Sequence, residues 1–99
     1  MRIIAELVDL IDEELEGAKD YAEKYVEHKA ENNTTWATKF KSMAEDELKH
    51  AMNIHEYATM KIDEIKRVYT APVQMQEKWD KKHKEYIEQT AWIKQMLTM

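Results

Sequence analysis

The sequence predicts an all-helical protein in which two long helices form an antiparallel hairpin and a third helix follows at the carboxyl end. Only one Gly and one Pro occur in 99 residues, and Ala, Glu, Lys and Met are abundant. These abundant side chains lose little rotamer freedom in a helix. A chain of this length has room for one modest core, so residues 1–99 are expected to form a single helical domain.

Two breaks in the helix-forming sequence set the predicted boundaries. Asn32-Asn33-Thr34-Thr35 is a run of short polar side chains, which bond the backbone locally and favour a turn followed by a helix N-cap. Thr70-Ala71-Pro72 carries the proline, which disfavours helix at the residue before it and suits the first turn of a new helix. The predicted helices cover about residues 2–31, 35–69 and 72–97, so the hairpin spans about 2–69.

Composition excludes several classes of function. The chain has 20 acidic and 15 basic residues and a formal charge of −5, without a basic stripe interleaved with aromatic residues, so no nucleic-acid partner is expected. The absence of cysteine excludes disulfides, thiolate metal sites and iron–sulfur clusters. No apolar run reaches about 18 residues and the first ten residues do not resemble a signal peptide. We therefore expect a soluble, cytoplasmic protein without a membrane segment.

Three polar residues interrupt the apolar stripes of the first two helices. In the first helix, Glu14 stands in a stripe with Leu7, Ile11, Ala18, Tyr21 and Tyr25. In the second helix, Glu47 and His50 stand in a stripe with Trp36, Phe40, Met43, Ile54, Ala58, Ile62 and Ile65. A carboxylate in a bundle core must be paired, hydrogen-bonded, protonated or bound to metal. The position of these residues within the apolar faces of the helices, rather than the acidity of the chain, therefore predicts a metal site in the core.

The spacing of Glu47 and His50 suits metal binding. Residues three apart on a helix share one face at about 5 to 6 Å, which leaves room for an ion between carboxylate and imidazole. Di-metal sites in bundle cores use one Glu from each of two helices and a Glu-x-x-His from each of two others. This chain supplies half of that set, so a second copy related by a twofold axis would complete the site.

The same residues carry a resemblance to a known family. Glu14-Leu-Glu-Gly-Ala-Lys-Asp-Tyr21 in the first helix and Ala44-Glu-Asp-Glu47-Leu-Lys-His50-Ala in the second resemble the ferritin-like superfamily, and within it the rubrerythrin-like and short half-ferritin (encapsulated-ferritin-like) proteins. The resemblance covers about the first two thirds of the chain. It implies a ferritin-like four-helix bundle formed on dimerisation, with a di-iron site and the oxidation of ferrous iron.

The resemblance also implies a role for each residue. Glu47 would bridge the two metals, Glu14 and His50 would be terminal ligands, and Tyr21 would donate or accept a hydrogen bond beside the site. The second Glu and second Glu-x-x-His of the larger relatives are absent here, so the site has to be shared within a homo-oligomer. The cysteine-ligated iron that supplies electrons to rubrerythrin is absent here, so peroxidase activity is expected only with an external electron donor.

Other interpretations stay open at this stage. Glu16 could replace Glu14 as a ligand, although it lies about 200° around the helix. The metal could be zinc, manganese or calcium instead of iron, and the protein could be a non-catalytic helical oligomer with a structural metal or none. His55 is interpreted as a packing or surface residue, His83 as an interface residue and His28 as a surface residue. Methionines and the three tryptophans are expected to pack between helices or subunits.

Overall fold

The computed structural model describes residues 2–68, 70 and 72–99, and it is helical throughout apart from the connections. Three helices occur in these ranges: α1 Arg2–Ala30, α2 Thr34–Val68 and α3 Val73–Met96. The all-helical prediction is confirmed, and the helices end within a few residues of the predicted positions. The predicted end of the second helix, residue 69, and Ala71 of the predicted break lie outside the described residues.

The connection from α1 to α2 is a capped turn. Asn32 adopts a left-handed conformation with φ of 60°, and the backbone N–H of Asn33 donates to the carbonyl of His28 at 2.8 Å, which is the pattern that closes a helix carboxyl end. The Asn33 side chain then accepts a hydrogen bond from the backbone N–H of Trp36 at 3.3 Å and so caps the start of α2. The polar run therefore both ends α1 and caps the first turn of α2.

Small side chains let α1 and α2 approach closely. Alanines recur every seven residues along the buried face of α2, at Ala37, Ala44, Ala51 and Ala58, and none of them is more than 4% exposed. Six of the eight buried residues of α1 are larger than alanine: Ile4, Leu7, Val8, Ile11, Leu15 and Tyr25, beside Ala18 and Ala22. Mostly large side chains of α1 thus pack against a face of α2 on which alanine predominates.

Helix α3 packs along one side of this pair. Its buried residues are Met75, Trp79, Ile93 and Met96. The ammonium of Lys82 donates at 2.7 Å to Asp12 of α1 and also at 2.7 Å to Glu85. His55 of α2 contacts His83 of α3. Apolar burial on α1 and a few polar contacts therefore fix the position of α3.

The resulting molecule is a rod. Its principal extents are 55 × 17 × 17 Å and its radius of gyration is 16.0 Å, against about 13 Å for a compact domain of this length. Its accessible surface is 6662 Å², larger than the roughly 6,000 Å² typical of a folded monomer of this mass. Within the described residues, no helix is both long and apolar enough to cross a membrane.

Candidate metal centre

The structure brings together the three residues that the sequence predicts as ligands. Glu14, Glu47 and His50, here called the Glu/His cluster, each offer a ligand atom within 4.8 Å of the others. The Nδ1 atom of His50 lies 3.5 Å from Glu14 Oε2 and 3.6 Å from Glu47 Oε1. Glu47 and His50 are neighbours because of their spacing on α2, whereas Glu14 reaches them because α1 packs alongside.

The Glu/His cluster is more open than the sequence predicts. The stripe analysis placed it in a core, but the side chains of Glu14 and Glu47 are 27% and 26% exposed and that of His50 is 54% exposed. The predicted stripe of α2 is buried at Ala58 and Ile62, but Trp36 and Met43 are exposed, and Ala37, Ala44 and Ala51 are buried instead. The reason is that α3 covers only one side of the pair, so the first half of the predicted stripe forms the edge of the core.

Helical phase shows which side is uncovered. Asp12 is bonded to α3 through Lys82, and Glu14, two residues later, projects about 160° away from it at 100° per residue. His55 contacts α3, and His50 projects about 140° away from it. The Glu/His cluster therefore lies on the face of the α1–α2 pair that is turned away from α3.

Exposed apolar residues flank the cluster on this uncovered face. Leu10 lies one turn before Glu14, and Met43 lies one turn before Glu47; both are exposed. Tyr57, two turns after His50 along α2, is exposed as well. The half-buried charges are thus surrounded by apolar surface that the rest of this chain does not cover.

The two carboxyl groups interact strongly. A hydrogen bond with Glu14 raises the pKa of Glu47 above its ordinary value, partial burial and the negative charge of Glu14 raise it further, and His50 acts in the opposite direction. Two carboxylates so close together repel each other unless a proton or a cation lies between them. The arrangement therefore favours a shared proton or a bound cation.

A glycine makes room for the Glu47 carboxylate. Gly17 is the only glycine of the chain, and it lies inside α1, where glycine is unfavourable relative to alanine. A Cβ at this position would lie 3.1 Å from Glu47 Oε2. Sequence reasoning missed this role, although a lone glycine three residues after Glu14, on the same face of a long helix, was a usable signal.

The other predicted site residues have distinct positions. Tyr21 is half-buried and stacks on Phe40 with ring centroids 6.2 Å apart; its hydrogen-bonding role stays a prediction. Glu16 lines a cavity against α3 and is not part of the cluster. His28, predicted at the surface, is only partly exposed, because its ring stacks on Phe40 at 5.3 Å and its side chain is 26% exposed.

Comparison of the chain with protein-family models, with curated proteins and with solved structures returns no match. Functional inference for this chain therefore depends on the Glu/His cluster and the surfaces around it.

Proposed function

We propose that the chain binds iron at the Glu/His cluster and oxidises ferrous iron there, at a site shared between two copies. The observation that carries this proposal is the convergence of two carboxylates and an imidazole, on two different helices, within 4.8 Å. Oxygen and nitrogen donors of this kind suit ferrous iron and stabilise its ferric product. The ferritin-like resemblance of the same residues points to the same chemistry.

The residues fit a cation in two further respects. The raised pKa of Glu47 reflects a carboxyl pair that a positive ion would relieve. The space left by Gly17 admits the Glu47 carboxylate beside α1, at the cost of helix stability. Glu14, Glu47 and His50 would hold the ion between α1 and α2.

A second copy of this chain is the proposed partner for the uncovered face. One copy supplies two carboxylates and one imidazole, half of the ligands that a di-metal bundle site uses. The exposed apolar residues beside the cluster would be buried when two such faces meet around a twofold axis. Two α1–α2 pairs would then form a four-helix bundle, with each α3 on the outside.

The protein residues would mainly bind and release protons and exclude water from the site. A cation bound between Glu47 and Glu14 would compete with a proton for the same carboxylate oxygens, so iron binding should weaken as pH falls. Bound iron supplies the electrons: each ferrous ion loses one, and dioxygen takes four with four protons and leaves as two waters. Burial by the second copy would strengthen the hold of the carboxylates on the ferric product.

Anaerobic iron loading followed by air tests the activity. Wild-type protein should bind ferrous iron, consume oxygen and develop ferric absorption in the near ultraviolet. Glu47→Ala should abolish oxygen uptake above the rate of iron in buffer, whereas Glu45→Ala, an exposed neighbour on α2, should not. Equal uptake by the Glu47 variant would refute the proposal, and iron or zinc bound without oxygen uptake would favour a structural metal.

Oligomeric mass and the effect of dilution on the oxidation rate test whether two copies share the site. Met43→Lys should give a monomer by light scattering and lose iron oxidation, because Met43 is 38% exposed beside the cluster. Met52→Lys is the matched control, since Met52 is 45% exposed but projects about 180° away around α2. The oxidation rate per chain should fall on dilution; a fully active monomer would exclude a shared site.

A further inference from the structure

A second group of metal-binding side chains lies where α3 meets α2, away from the Glu/His cluster. His55 Nε2 and His83 Nδ1 are 2.8 Å apart, so one imidazole donates its N–H to the other. The two rings are tilted by 24° with centroids 4.9 Å apart. This pair contains nitrogen donors only, in contrast to the carboxylate-rich cluster on the opposite face.

Neighbouring aromatic side chains fix the ring of His55, whereas the ring of His83 is exposed and can rotate. His55 is half-buried, and its ring stacks on Tyr86 at 4.2 Å and on Trp79 at 5.2 Å. His83 is exposed to solvent. Burial and the neighbouring His83 lower the pKa of His55, while Glu56 acts in the opposite direction. His55 is therefore neutral at physiological pH, which is the form that binds metal.

We propose that His55 and His83 form a second metal site, which takes a divalent transition-metal ion of the copper, nickel and zinc class and links α2 to α3. Metal–imidazole bonds of about 2.0 to 2.1 Å place two adjacent nitrogens roughly 2.9 to 3.3 Å apart. The observed 2.8 Å needs only a small opening and a rotation of the exposed His83. For both nitrogens to bind the ion, the donating ring has to carry its proton on its other nitrogen, which is a change of tautomer.

Ligand type separates this site from the proposed iron site. Imidazole pairs favour Cu²⁺, Ni²⁺ and Zn²⁺ over Fe²⁺ or Mn²⁺, following the order of divalent-metal affinities. The carboxylate of Glu56 lies close enough to act on the charge of His55, which also favours a bound cation. Because the site is independent of the Glu/His cluster, either proposal can fail without the other.

Trp79 provides a direct reporter, because its ring stacks on His55. A Trp36→Phe, Trp92→Phe background leaves Trp79 as the single tryptophan, and both replaced residues are about half exposed. Titration with Cu²⁺ alone should quench its fluorescence saturably, with one ion per chain, and added EDTA should restore it. Quenching that never saturates, or that EDTA does not reverse, would refute a site at this pair.

Substitutions then locate the ion. His83→Ala and His83→Gln should each weaken the apparent Cu²⁺ affinity at least tenfold, and the Gln variant keeps an amide that can bond to His55 if the Ala variant unfolds. His28→Ala, which removes a histidine outside the pair, and Glu47→Ala should leave the affinity unchanged. Undiminished quenching in both His83 variants, or its loss in Glu47→Ala alone, would overturn the proposal.

Stability offers a readout that does not depend on fluorescence. A metal that links α2 to α3 binds only the folded chain, so Zn²⁺ in excess should raise the melting temperature of the wild type by several degrees. The same addition should raise it clearly less in His83→Gln, in which only the Glu/His cluster can still bind Zn²⁺. An equal rise in both proteins would show that Zn²⁺ acts elsewhere, and would overturn this assignment.

Discussion

Replacement of Gly17 by alanine should change stability and metal affinity in opposite directions. Alanine inside a helix is more favourable than glycine by about 0.8 to 1.0 kcal/mol. The new Cβ would lie 3.1 Å from Glu47 Oε2, so that carboxylate has to shift by a few tenths of an ångström. Because the Glu47 side chain is 26% exposed, it can rotate away at a cost of about 0.5 kcal/mol.

The metal-free variant should therefore be more stable by about 0.3 to 0.5 kcal/mol, which corresponds to a melting temperature about 1 to 4 °C higher. The displaced carboxylate should weaken ferrous iron binding by about tenfold or more, by analogy with the loss of residues that orient ligands. Urea unfolding and anaerobic iron titration measure the two effects, with light scattering to detect any change in oligomeric mass.

Asp9→Ala is the control for helix propensity, because Asp9 is exposed on α1 and its replacement raises the propensity of the same helix. It should stabilise the protein without changing iron affinity. Unchanged iron binding in the Gly17 variant would refute the role given to this glycine. A loss of more than about 1 kcal/mol in the metal-free protein would show that the carboxylate cannot move aside.

Three further predictions concern stability. Lys82→Met should lower the free energy of unfolding, measured in urea titrations, by about 1 kcal/mol, because it removes two hydrogen bonds to partly exposed carboxylates. Lys81→Met, at an exposed position, should change the free energy of unfolding little. Trp79→Ala should cost about 3 kcal/mol or more and Trp92→Ala under about 1 kcal/mol by the same measurement, since only Trp79 is buried; equal losses would contradict the position of α3. Because the pKa of Glu47 is raised above 4.5 in the folded chain, the metal-free protein binds more protons than the unfolded chain and should lose stability as pH rises through the folded-state pKa. Glu47→Gln should remove that dependence, and an unchanged pH profile would contradict it.

Local rules predicted the helices and the ligand group, but they could not predict burial. Asn33 caps α2 as a short polar side chain should, and the Glu47–His50 pair follows from three-residue spacing on one helix. Whether Met43 is buried within the chain depends instead on where α3 packs. The His55–His83 contact joins residues 28 apart on different helices, so no spacing rule could pair them.

The position of α3 connects these observations. A free α1–α2 pair would expose apolar surface on two sides, and could associate with other copies through either of them. Lys82 and Trp79 attach α3 to one side, which leaves the side that carries the Glu/His cluster. In the proposed dimer, α3 would restrict association to the one face where a second copy brings its carboxylates and imidazole to those of the first. Loss of α3 docking, through Trp79→Ala for example, should therefore broaden the oligomer distribution in light scattering. A sharp dimer that persists with α3 undocked would show that the cluster face selects its partner without help from α3.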